Sequence, residues 1–351
     1  MKVNPIVSAD QLLTRYERGE RNFKEINLRK VSLKKNDLHR INLNSAYLSK
    51  IDLSQTRLIG ANFNSITLEQ VNLSKSLLIE AGINHAKLIR VKLNAADLSG
   101  AKLTGTTFYH CNLSQANLTN ASLIGSNFTF KTKLKEARLM GATLTRSTLK
   151  NMNCYRANFT RAMINEADLQ GADLRGSHLI HAYCYRSNLN QANLSHADLS
   201  EANLQEVTLC CANLTGANLT GANLTGANLT GANLTGANLK NINLKQANLQ
   251  GLVLDEVDLR FADLTQANLR GVNLSGANLA GANLSAADLT DANLTDANLQ
   301  RSGLLFSRLA GANLTGTNLS EANLIGTCLT VNHLNQTALQ GAILPNGATH
   351  P

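Results

Sequence analysis

The chain has 351 residues, 43% of them hydrophobic, and 33 Lys and Arg stand against 24 Asp and Glu for a net charge of +9. Three Pro, no Trp, 4% aromatic and 16% charged residues argue against a collagen-like or Pro-rich chain, and against the two or three ordinary globular domains that length alone suggests. No apolar run reaches the roughly 18–20 residues of a membrane span, and Met1–Asp10 lacks a signal-peptide layout. The expected compartment is therefore the cytoplasm, where the six Cys stay reduced.

The first predicted element is a helix over residues 8–18, inside an N-terminal cap of residues 1–22. Ser8 and Gln11 form a capping-box pair. Leu12, Leu13 and Tyr16 supply an apolar side, and Gly19 is the stop. Such a helix would cover an otherwise open edge.

From Phe23 an apolar residue recurs at every fifth position to Phe128, 22 times. The beat slips by one residue within 129–133 and resumes from Leu134 to Leu344, 43 times. The 65 repeats cannot form an α-helix, where five residues advance about 500° and the leucines would spiral around the axis. They cannot form a flat strand either, because a shift of five flips the face. The pattern works if each repeat is a short extended side followed by a corner. The central Leu and the Ala two residues before it then point inward. The Asn or Asp between them and the Ser or Thr after the Leu point outward, and the Gly or small residue that follows takes the corner. Four corners close a 20-residue coil. About 16 coils, at roughly 4.8 Å per layer, would stack over about 75–80 Å. The reading divides the chain into cap 1–22, first block 23–128, break 129–133, second block 134–344 and a loose tail 345–351.

Departures from the repeat are the candidates for function. Residues 1–150 hold 23 Lys and Arg against 10 Asp and Glu. The densest run, a candidate basic patch, is Arg21, Lys24, Arg29, Lys30, Lys34, Lys35 and Arg40. No aromatics are interleaved with it, which argues against single-strand nucleic-acid binding. Ile59, Leu77 and Ile79 form a candidate apolar patch, with Ile89 expected on a neighbouring side. Lys133, Lys135, Tyr155 and Arg175 form a second candidate surface, the last three being 20 residues apart and so stacked on one face. A second Cys-Tyr-Arg places Tyr185 and Arg186 one and a half coils later, on the opposite face. Tyr109, Phe261 and Phe306 are further outward or corner aromatics. Residues 212–239 are close to pure Ala-Asn-Leu-Thr-Gly, and the regular stretch 212–250 reads as a spacer.

No catalytic or metal-binding motif occurs. Cys111, Cys154, Cys184 and Cys211 are expected inward, where a thiol behaves as a small hydrophobe; Cys210 and Cys328 are expected outward. No enzyme activity, cofactor or metal is expected.

The Ala-Asn-Leu-Thr-Gly units resemble those of the pentapeptide-repeat family over residues 23–344. The resemblance implies an all-β fold, a right-handed quadrilateral β-helix. Residues 8–23, from Ser8 to Phe23, resemble the N-terminal module of cyanobacterial members, one of them a heterocyst-differentiation regulator. This implies a non-enzymatic protein–protein interaction scaffold with a regulatory role such as differentiation control. Other members resemble double-stranded DNA in shape and negative charge and protect DNA gyrase from inhibitors. The positive charge here argues against that alternative, and a purely structural rod is the third. The expected partner is an unidentified regulatory protein rather than nucleic acid, met by a monomer through the irregular residues before 190.

Overall fold

The computed structural model describes residues 8–129, 131–330 and 334–351. Residues 1–7 of the expected cap and residue 130 of the register break lie outside the described residues. The chain forms two compact units, Met1–His178 and Leu179–Pro351. Each is a right-handed quadrilateral β-helix, and the first begins with the short helix.

Helix α1 spans Ala9–Glu17. The Ser8 hydroxyl accepts the Gln11 N–H at 3.2 Å, and the Gln11 side chain accepts the Ser8 N–H at 3.3 Å, so two helix-end donors are satisfied reciprocally. Nine residues are too few for a helix to persist alone. It persists by docking: Leu12 is fully buried, and the Tyr16 hydroxyl donates to the His39 carbonyl at 3.0 Å. Arg15 lies over the Phe23 ring at 5.3 Å, which ties the helix to the first coil.

In the first unit, strands β1 (Asn27–Arg29), β2 (Tyr47–Ser49), β3 (Thr67–Glu69), β4 (Lys87–Ile89), β5 (Thr107–Tyr109) and β6 (Asn127–Thr129) pair in parallel and in sequence order. Each pairs with a partner 20 residues on, as Leu28 does with Leu48. We call the side formed by β1–β6 face B. Face A precedes it, centred on Phe23 and its successors. Face C follows, centred on Leu33, and face D follows that, centred on Leu38. Isolated parallel bridges, such as Ser32 with Asp52 and Asp37 with Arg57, join the coils on faces C and D. On face B the rings of Phe108 and Phe128 stack inside the coil with centroids 4.5 Å apart.

The five residues have separable jobs. The central Leu is buried as far as Leu324 and the preceding Ala nearly everywhere, while Ala312, Leu329, Leu339 and Leu344 towards the C-terminal end are half-buried. The Asn before the Leu holds the bend: Asn213 Oδ1 accepts the N–H of Thr215 at 3.1 Å and its hydroxyl at 2.6 Å. The same Asn column can bond between coils, as Asn293 Nδ2 does to Asn273 Oδ1 at 2.9 Å. Corner residues are left-handed, Gly216 at φ 64° and Arg156 at φ 53°. Gly is the least strained choice there, but the coil holds many other side chains in the same conformation.

The bridges carry the extra residue as a change of offset. Asn112 pairs with Lys133 and Asn127 with Thr148, 21 residues apart, and the offset then returns to 20. The insertion therefore sits in one corner, between faces B and C, as a bulge does. Buried Thr132 closes it, accepting the Cys111 N–H at 3.1 Å and donating to the Thr129 carbonyl at 2.8 Å.

In the second unit the offset is 20 from Tyr183–Asn203 to Asn323–Ile343. Residues 345–351 are not the loose tail the sequence suggests. Thr349 pairs antiparallel with Ile343, Gly341 N–H donates to His350 O, and His350 N–H donates to Ala342 O. A turn at Pro345–Gly347 folds the end back along the last coil and satisfies donors that would otherwise form an open edge.

Candidate functional site

Among the described residues, no group of three or more His, Cys, Asp and Glu could hold a metal ion. Cys111, Cys154 and Cys184 are buried. Burial pushes the Cys111 and Cys184 thiols up to about 12 and raises Cys154 as well, so none is a ready nucleophile. Cys211 corrects the sequence reading. It is exposed, at φ 57°, because it lies two residues after Leu209 and so occupies a corner rather than an inward position.

The expected basic patch does not form on one surface. Residues adjacent in sequence wrap around the coil, so the run is divided. Arg21 folds onto the cap, its guanidinium 3.7 Å from the Tyr16 ring and bonded to the Tyr16 and Glu20 carbonyls. Lys24 lies on face A, Arg29 and Lys30 on face B and its corner, Lys34 and Lys35 on face C and its corner, and Arg40 at the corner after face D.

Residues 20 apart produce a different concentration of charge. The first unit holds 26 Lys and Arg against 13 Asp and Glu. Faces B and C, each with the corner that follows it, hold 15 of these cations against 5 acids, while faces A and D hold 7 against 5. The corner between B and C is the crest: Lys30, Lys50, Gln70, Arg90, His110 and Lys131 succeed one another coil by coil. Lys92 and Lys133 lie beside it on face C. Lys50, Arg90, Lys92 and Lys133 are exposed, and none of them forms an ion pair among the described residues. A shallow depression of about 640 Å³ lies here, lined in part by Arg90, Lys92, His110 and Lys135.

Further along face C the Tyr155 ladder is present as the spacing predicts. Cys154 is buried and aims Tyr155 outward, and Asn153 Oδ1 accepts the Tyr155 N–H at 3.2 Å. The ring has Lys135 Nζ at 5.8 Å and the Arg175 guanidinium at 5.7 Å, one coil before and one after, with Arg156 at 5.2 Å. Arg175 forks onto Asp173 at 2.7 and 2.8 Å and holds that carboxyl below its usual value. Glu136 is held low too, chiefly by the Gln115 side chain and then by Lys135 at 3.5 Å. Lys133 joins the same face through its bridge to Asn153.

The apolar candidates meet on face D. Backbone bonds from Leu58 to Leu77 and from Gly60 to Ile79 set Ile59, Leu77 and Ile79 on adjacent coils. Leu77 is exposed, while Ile59 and Ile79 are half-buried. Ile89 does not border them: it ends β4 on face B, half a coil from Ile79. Tyr185 and Arg186 belong to the second unit. There both bond Glu206, at 3.3 and 2.7 Å, and Arg186 stacks on Tyr185. Phe261 and Phe306 occupy left-handed corners, over Gly281 and Gly326 of the following coils.

A family model described as pentapeptide repeats matches the chain in overlapping segments from residue 22 to residue 331, with none crossing residues 130–136. The chain belongs to the pentapeptide-repeat family. It is similar to HetL, a pentapeptide repeat protein involved in heterocyst differentiation regulation from the cyanobacterium Nostoc sp. strain PCC 7120, with 29% identity over 98% of this chain and 100% of that one and a TM-score of 0.18. It is also similar to Rfr23 from the cyanobacterium Cyanothece 51142, with 46% identity over 24% of this chain and 58% of that one, TM-score 0.24. QnrB1, a plasmid-mediated fluoroquinolone resistance protein, shares 24% identity over 50% of this chain and 84% of its own, TM-score 0.31. Comparison with curated proteins gives no match. No helix among the described residues is long and apolar enough to cross a membrane.

Proposed function

We propose that this pentapeptide-repeat chain is a non-enzymatic, cytoplasmic scaffold that binds a regulatory protein through its first unit. The observation that carries the reading is the contrast in outward residues. The first unit presents the charged faces B and C, the Tyr155 ladder and the apolar Ile59, Leu77 and Ile79. In the second, residues 212–239 present repeated Asn and Thr. Residues that differ from coil to coil can encode recognition; identical columns set only distance and rigidity. Control of cell differentiation, which the resemblance of residues 8–23 to a cyanobacterial regulator implies, is the narrower form of this reading. The DNA-mimic alternative is disfavoured by charge, because a mimic must present carboxylates where faces B and C present ammonium and guanidinium groups.

Affinity capture from the native organism tests the proposal with the full chain and two surface variants. One carries Leu77→Asp, Lys92→Glu and Lys133→Glu in the first unit; the other carries Lys240→Glu, Arg270→Glu and Arg308→Glu in the second. The expected result is one protein retained by the wild type and the second-unit variant and lost from the first-unit variant. Loss only from the second-unit variant contradicts the proposal.

A further inference from the structure

We infer that faces B and C of the first unit form a docking surface for an acidic segment of a partner protein. The inference rests on the protein-binding reading and adds which faces bind and what chemistry they meet.

Charge complementarity carries the inference. Successive coils put cations about 4.8 Å or a small multiple apart along the B–C corner. One coil falls within the screening length of about 8 Å at physiological salt, and two coils, about 9.6 Å, are comparable with it. The cations therefore repel one another, and a carboxylate-rich partner relieves that repulsion on binding. Lys50, Arg90, Lys92 and Lys133 are exposed and make no ion pair among the described residues, so binding breaks no internal bridge at those positions. The Tyr155–Arg175 ladder at the far end adds residue types that dominate interface energetics, and Asp173 fixes the guanidinium in advance.

The same surface is poorly built for nucleic acid. Asp52, Glu69, Asp168 and Asp173 lie among the cations on faces B and C, where an evenly charged phosphate backbone would meet them. Both sides of the Tyr155 ring are flanked by cations, which leaves no open face for a base to stack on. The faces project no helix or ribbon into a groove, so base edges are out of reach. A protein segment, unlike a phosphate backbone, can set its carboxylates against the cations and neutral side chains against Asp52, Glu69, Asp168 and Asp173.

Fluorescence anisotropy with the full chain tests this. The probes are a labelled Glu-rich peptide of about 20 residues, a labelled DNA duplex and a labelled single strand of equal net charge, and vesicles containing phosphatidylserine, all at physiological salt. The expected order is peptide tightest. Lys92→Glu, Lys133→Glu and Lys135→Glu together should weaken the peptide about tenfold or more. A control of equal charge on faces A and D, Lys102→Glu, Arg138→Glu and Arg161→Glu, should weaken it less than about threefold. Tighter binding of either DNA or of vesicles overturns the inference, as does no peptide binding or equal weakening by the control. If the first-unit capture variant loses a protein partner while the peptide never binds, the acidic-segment inference fails and the protein-binding reading stands.

Discussion

Replacing Leu12 by Ala should open the first coil and leave the second unit untouched. Leu12 is fully buried, and α1 is held to the coil by it, by Tyr16 and by Arg15 over Phe23. A buried Leu→Ala change costs about 2–5 kcal/mol. At a factor of ten per 1.4 kcal/mol, cap opening becomes about 30-fold to about 4,000-fold more frequent. Hydrogen exchange read by mass spectrometry measures this directly. Amides that join the first two coils, Phe23 to Asn42 O, Asn42 to Arg21 O and Tyr47 to Ile26 O, should exchange faster by up to that factor. Stacked coils contact only their neighbours, so amides such as Asn293, bonded to Val272 O, should keep their rates. Unchanged exchange over residues 23–47, or equal acceleration in both units, would refute the view that the helix is a local cap on an additive stack.

Corner glycines separate strain from crowding. Gly236→Ala meets nothing within 4 Å and should cost only the left-handed strain of about 1 kcal/mol. Gly326→Ala should cost more, since its Cβ would overlap Phe306 Cδ1; adding Phe306→Ala should recover the excess in thermal melts. Alkylation of native protein should modify exposed Cys211 and Cys328 quickly and buried Cys111, Cys154 and Cys184 only after denaturation. The raised Cys184 thiol also has a pH signature. From about pH 9 to about 12 the unfolded thiol ionises while the folded one stays protonated. Stability should therefore fall as pH rises through that window, less steeply in Cys184→Ala. Tyr155→Leu should lower stability by about 1 kcal/mol through lost cation–π contacts, measured by chemical denaturation.

The period-five leucines made the inward and outward positions legible, because burial alone selects them. Ser8 and Gln11 disclosed the helix start for an equally local reason. Spacing by 20 also placed Lys135, Tyr155 and Arg175 in one ladder. The basic patch failed because density along the chain is the wrong measure in a coil. Arg29 and Lys35 are six residues apart yet belong to different faces, whereas Lys50 and Arg90 are 40 apart and share a corner. Taking every twentieth residue would have shown the B–C crest. Cys211 was misplaced by a single position, since a corner and an inward site are neighbours in the repeat. The return of residues 345–351 had no signal: antiparallel pairing along the last coil depends on backbone donors and not on the five-residue pattern.

Lysine footprinting of the full chain, alone and saturated with the captured partner, is the most direct test of the partner surface. Reductive methylation followed by mass spectrometry reads each ammonium group separately. The account predicts protection of Lys50, Lys92, Lys133 and Lys135 on faces B and C, with Lys102 on face A and Lys240 and Lys245 in the second unit labelled as in the free chain. Protection of Lys240 and Lys245 with faces B and C still labelled would contradict it.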